Sequence, residues 1–320
     1  MSIPALVAST PLDDFLGDSA SSDTGVLLQR IGLFGSLFGV TLTVGLLVFL
    51  AVVHRGSRAE VGTILRVVAL AGGVTVLGAA VELAGVASIG GLSWWDAVTD
   101  ETGSAPMVRL LGGLLVVLGL FDHTVPDADG PDVDEPHDEV RWVPASASAF
   151  GLAGAALGVV SFWFDGHTVT RGPRVVHAVV DLAHVTAGSI WFGGIVGLCV
   201  VALVRRGGSI APLVVRFSSI ASAALILVTL AGSLMALMIV DDLADLTGTE
   251  WGRLLIVKVA AVGVVALVGG YNHFVVVPAL RTAPSSRSMV TRARATIAVE
   301  ALVLVFVVAM TVFLTGASIH

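Results

Sequence analysis

The densest group of residues able to do chemistry lies in VVHAVVDLAHVTAGSIWFGG, residues 175–194. His177 and Asp181 are four residues apart, and Asp181 and His184 three. On a helix turning 100° per residue all three fall within an arc of about 60°. Imidazole suits copper, zinc, iron and nickel, and thioether sulfur adds a preference for Cu(I). Met235 and Met238, one turn apart in the next apolar stretch, supply thioethers, and Met107 and Met310 fall at similar depth. The rise from His177 to His184 is about 10.5 Å, too long for easy shared coordination of one ion. The pattern therefore points to a relay of two positions, or to one histidine joined by partners from other helices. Asp181 between them could ligate Cu(II), or accept a ring N–H and fix a tautomer. The competing reading of the methionines is packing, since Met fills irregular gaps.

The other ionisable groups in apolar stretches are single: Glu82, Lys258 and Glu300. Such groups are costly at membrane depth and usually face a bundle interior. Lys258 is the one lysine beside 16 arginines. A protonated amine offers a metal no lone pair, so its expected role is electrostatic, paired with Asp181 or Glu82 or snorkelling outward. Asn272, His273, His123 and His54 fall near inner helix ends; they could form an exit site or simply meet water and headgroups.

These residues must be positioned by membrane helices. Charged residues make up 13% of the 320 and the hydrophobic set 56%, against about 25% charged in an average soluble domain, so a water-soluble globule is excluded. One cysteine, Cys199, rules out a disulfide framework or a Cys-only metal site within the chain. A net charge of -7 argues against nucleic acid. The fold class is all-α, a polytopic membrane protein with eight transmembrane helices in two four-helix halves. Apolar runs place the spans near 31–53, 62–84, 106–122, 143–163, 176–204, 217–240, 253–276 and 295–316.

Arginines follow span one (Arg55, Arg58), follow span five (Arg205, Arg206, with Arg216 opening span six) and lie between spans seven and eight (Arg281, Arg287, Arg292, Arg294). The positive-inside rule makes that side cytoplasmic and puts both termini outside. Residues 1–30 form an extracytoplasmic N-terminal segment with no signal-peptide pattern. Trp94, Trp95 and Trp251 read as outer interfacial anchors. The loop 122–142 carries eight carboxylates against one arginine. With its Pro and Gly it reads as a solvated linker between spans one to three (31–121) and span four (143–163), with His123 and His137 as weak chelators. HRGSRAEVGTILR against VRRGGSIAPLVVR, and a repeated TG…RLL, suggest a parallel duplication or merely shared helix-end chemistry.

Residues 175–318 resemble the membrane domain of the copper resistance protein D (CopD) family. The resemblance is an ordered series: His184 with Trp191, Gly193 and Gly194, then Arg216-Phe217-Ser218, then GTEWGRLLIVK at 248–258, then Asn272 with Pro278, then Glu300 with the closing LTG at 314–316. It implies movement of copper across or into the cytoplasmic membrane, often with a periplasmic CopC-type copper-binding partner, which here would be a separate chain. The small residues around Trp191 would also let a neighbouring helix approach closely.

Three functions remain in view. The leading one is a copper carrier, not an enzyme, with no Walker motif. Another is a haem-binding electron-transfer protein, since paired intramembrane histidines also ligate haem; that needs histidines facing one another from two helices, whereas His177 and His184 share one. The third, a factor delivering copper to an oxidase, would carry the same residues as the first.

Overall fold

A computed structural model describes residues 11–119, 142–143, 148–164, 174–205, 209–240, 242–283 and 286–315. The acidic stretch with His123 and His137, the first ten residues, Arg171, Arg206 and Asp241 lie outside these. The described residues are helical, with no strand among them. The long helices are α1 (Pro11–Val48), α2 (Arg58–Gly90), α4 (Ser104–Leu118), α5 (Ala149–Val160), α6 (Arg174–Val204), α7 (Ala211–Ile239), α9 (Glu250–Tyr271) and α11 (Arg287–Thr315). The short ones are α3 (Trp94–Thr99), α8 (Asp245–Gly248) and α10 (Val277–Thr282).

Among the described residues seven stretches are long and apolar enough to cross a membrane: Asp23–Val53, Arg58–Gly90, Glu101–Leu118, Val175–Val204, Ala211–Ile239, Glu250–Thr282 and Arg287–Thr315. The expected fourth span is a shorter apolar helix, Ala149–Phe164. At about 1.5 Å per residue it falls short of a hydrocarbon core of about 30 Å. The sequence boundaries also shift. Span one begins eight residues earlier than expected, span three runs 101–118 instead of 106–122, and span six starts at Ala211 instead of 217. Caps explain several ends. Ser57 accepts from the Glu60 N–H to start α2, and Gly91, at φ 58°, closes it in a left-handed turn. Ser148 starts α5 and Thr249 starts α9 in the same way.

The outer surface is apolar, as a lipid-facing surface must be: Leu77, Leu203, Leu237, Leu267 and Phe274 are all more than two-thirds exposed. Between helices the contacts are made by small residues, where dispersion and close backbone approach replace the hydrophobic effect. Gly32 and Gly39 of α1 sit against Gly78 and Thr75 of α2, so closely that a Cβ on either glycine would strike the facing helix. Gly45 of α1 and Gly193 of α6 meet backbone to backbone, joining the first four long helices to the last four.

The two groups of four are packed differently. In the first, α1 packs on α2, α2 on α4 and α4 on α5. In the second, α6 packs on α7 and α11 on both α6 and α9, but α7 and α9 form no extended pair. They approach at the arginine-bearing end, where α10 packs on α7 and His273 Nδ1 lies 2.7 Å from Ser218 Oγ.

Candidate functional site

His184 sits on α6 where it faces α7. Its Nδ1 is 3.0 Å from the backbone carbonyl oxygen of Val228. A carbonyl can only accept, so Nδ1 carries the hydrogen and Nε2 is left with its lone pair. This is the arrangement by which metal-binding histidines are commonly oriented. Room for the ring comes from Gly232, one turn along α7: a Cβ there would lie 2.9 Å from His184 Cε1.

His177, two turns nearer the acidic end, is fully buried, and neither ring nitrogen has a hydrogen-bond partner among the described residues. A buried, unsatisfied imidazole costs about 1–3 kcal/mol and calls for an explanation. Asp181 lies between the two histidines, half-buried. Lys258 of α9 stands within electrostatic range of Asp181 and of His184. The expected pairing of Lys258 thus has Asp181 as its one surviving candidate.

Glu82, the other proposed partner, is engaged elsewhere. Its carboxylate accepts from Arg109 Nη1 at 2.8 and 2.9 Å and from Ser36 Oγ at 3.0 Å. Arg109 has no exposed surface, places its guanidinium 5.7 Å from the centre of the Phe162 ring, and donates Nε to Ser161 Oγ. Glu82 is therefore not a single charge, and Lys258 does not pair with it. The sequence reading missed this because Arg109 stood near the expected start of span three, where an arginine ordinarily reaches the interface. The available signal was one arginine and one glutamate at matching depth in adjacent spans.

The thioethers follow from the antiparallel register of α6 and α7. Three residues beyond Gly232 along α7 is Met235, level by helix rise with Asp181; Met238 is level with His177. Val228, Gly232 and Met235 share one face, while Met238 is turned about 60° further round. Both methionines are half-buried. Among the described residues no three His, Cys, Asp or Glu side chains converge on a point where a metal could be held. His177, Asp181 and His184 are strung along one helix face, as their spacing requires.

The inner-end residues do not form one cluster. His54 is fully buried with Nε2 3.0 Å from Glu60 Oε2, and that carboxylate also receives Arg205 Nε at 2.6 Å and Nη2 at 2.9 Å. Burial, partly offset by Glu60, holds the His54 pKa below its ordinary 6.5. Gly56 makes the knot possible, since a Cβ there would strike the Glu60 carboxylate. Arg216 donates Nη1 to the Val53 carbonyl at 2.7 Å and so ties the start of α7 to the end of span one. His273 bonds Ser218, and Asn272 bonds Glu300, each away from His54. Partners on three different helices thus hold His54, His273 and Asn272; His123, the fourth of these residues, lies outside the described ones. Trp191 is buried in the core, and Trp251, expected at the interface, is buried too, whereas Trp94 and Trp95 are exposed as anchors.

Residues 211–314 match the family model described as Copper resistance protein D. The match holds Arg216, Met235, Met238, Lys258, Asn272 and Glu300. It begins after α6, so His177, Asp181, His184 and Trp191 stand outside it, as does Glu82. No curated protein and no solved structure matches the chain. The chain is thus an all-α polytopic membrane protein that is similar, over residues 211–314, to the copper resistance protein D family.

Proposed function

We propose that the protein binds copper along the face of α6 that carries His177 and His184, where α6 packs on α7, and carries it across the membrane. The observation that carries this reading is His184: one ring nitrogen is fixed by a backbone carbonyl and the other is left as a donor, in a span packed directly on the matched region. His177, buried without a partner, is the second ligand. Met235 is the first thioether candidate and Met238 the second, favouring Cu(I). Asp181 and Lys258 bracket the site with opposite charges, so that an arriving cation meets a carboxylate without a lasting net charge in the bilayer. By the positive-inside rule the arginine-bearing end would face the cytoplasm and the histidines the outer side. A periplasmic CopC-type protein supplying copper there is consistent with this placement.

The test is copper stoichiometry of the purified, membrane-inserted protein. Replacing both His177 and His184 with Ala is expected to abolish copper binding while insertion persists, because apolar residues facing a bundle interior suit lipid-embedded helices. Unchanged stoichiometry in the double variant would place the site elsewhere. An absorption spectrum of the same sample separates the haem reading: a Soret band would replace copper with haem as the ligand of these histidines.

A further inference from the structure

Three glutamates are buried among the described residues: Glu60 and Glu82 each face a guanidinium, of Arg205 and Arg109, and Glu300 is held differently. Glu82 is 5% exposed, and its carboxylate is neutralised by the guanidinium of Arg109. Glu300, on α11, is 2% exposed, and its hydrogen-bond partner among the described residues is a neutral amide: Asn272 Nδ2 donates to Oε1 at 2.5 Å. The amide is locked in that orientation because Thr296 Oγ1 lies 2.7 Å from Asn272 Oδ1. Among the described residues no arginine, lysine or histidine bonds Glu300. Asn272 also opens a π-helical turn, Asn272–Val276, in span seven. Such turns interrupt the regular ladder and recur at functional sites.

The groups facing Glu300 from the packed elements supply no compensating cation. α6 contributes the Cys199 thiol, within electrostatic range. Span seven contributes His273, turned to Ser218, and Tyr271, whose hydroxyl accepts from Arg292 at the exposed edge. The arginine of α1, Arg30, lies over Phe313 at the other end of α11, and Arg281 of α10 is exposed. An ionised carboxylate with one neutral donor in such a place is far costlier than a carboxylic acid, which needs only a proton. Glu300 stands about 9 Å of helix rise from Arg294, and Asn272 and Thr296 lead from it to the half-buried edge.

We propose that Glu300, held by Asn272, is a reversible proton-binding site at the arginine-bearing end of the bundle, and that its proton is released when copper binds. It lies about 20 Å of helix rise from Lys258 and His184; α9, which carries Lys258 and leads into Asn272, packs along α11, which carries Glu300, so a shift of one against the other would connect the two sites. The link to the metal rests on the copper reading above; the proton site itself does not.

The experiment is infrared difference spectroscopy of the full chain in lipid, as wild type and as Glu300→Gln, metal-free at neutral pH and then with Cu(I) added. The wild type is expected to show the C=O stretch of a buried carboxylic acid that Glu300→Gln lacks, and Cu(I) is expected to remove it. Gln retains the bond to Asn272 and mimics the protonated form, so the variant is expected to fold. A wild-type spectrum without that band, or the same band in Glu300→Gln, overturns the proton site. A band that persists when equilibrium dialysis shows Cu(I) bound overturns the link to the metal. A band present in a protein that binds no Cu(I) overturns the copper reading and leaves the proton site standing.

Discussion

Gly232→Ala adds one methyl group to the site and should weaken copper binding without touching a ligand. The new Cβ would lie 2.9 Å from His184 Cε1 and 3.1 Å from Nδ1. Carbon atoms in contact prefer about 3.5–4.0 Å, so the ring must retreat by about 0.5–1 Å. The Nδ1–H···O=C bond to Val228 begins at 3.0 Å, and a retreat of that size carries it past the distance at which a hydrogen bond persists. Loss of such an orienting bond typically costs about 10–100-fold in metal affinity, equivalent to about 1.4–2.7 kcal/mol. The fold should survive, because Ala is favoured over Gly in a helix by about 0.8–1 kcal/mol, which offsets part of the strain. Gly263→Ala on α9 is the control, since nothing lies within 4 Å of its Cβ. Competition of the purified protein with a chromogenic Cu(I) chelator reads the affinity, and thermal unfolding in the same detergent reads the fold. If the folded Gly232→Ala protein holds Cu(I) as tightly as the wild type and the Gly263→Ala control, the orienting role of the Val228 carbonyl is refuted.

Two further outcomes follow from the buried charges. Arg109→Met leaves Glu82 without its cation and should destabilise the bundle by about 3–5 kcal/mol, whereas Arg109→Met with Glu82→Leu should recover most of that; equal unfolding midpoints for wild type and single variant would contradict the ion pair. Because burial lowers the His54 pKa below 6.5, the unfolded chain takes up a proton first as pH falls. Stability should therefore decline from about pH 6.5 down to the folded pKa and level off below it, and His54→Gln should flatten that slope in thermal melts recorded across this range.

Much of the architecture was legible in the sequence because the bilayer imposes a one-dimensional rule. A segment that crosses lipid must satisfy its backbone internally and be apolar for about 20 residues, so composition and run length define an all-α membrane protein without reference to any contact. The same holds for the polar stripe: His177, Asp181 and His184 share a face by helical periodicity alone, and α6 carries them so. The ordered series of motifs ending in Glu300 and LTG likewise pointed to the family whose model matches residues 211–314.

What neighbours do to each residue was decided only by the tertiary structure. Three buried ionisable groups looked alike in the sequence, yet Glu82 received a guanidinium, Glu300 an amide and Lys258 a distant carboxylate. Their chemistry depends on which side chain arrives from another helix. His184 owes its free nitrogen to a carbonyl 44 residues away and to the missing side chain of Gly232. Helix ends moved by several residues because capping hydroxyls and π turns, not hydropathy, stop a helix. Glycines draw α1, α2 and α6 into close contact, while α7 and α9 form no extended pair. Periodicity assigns a face to each helix, but only packing in three dimensions determines what that face meets.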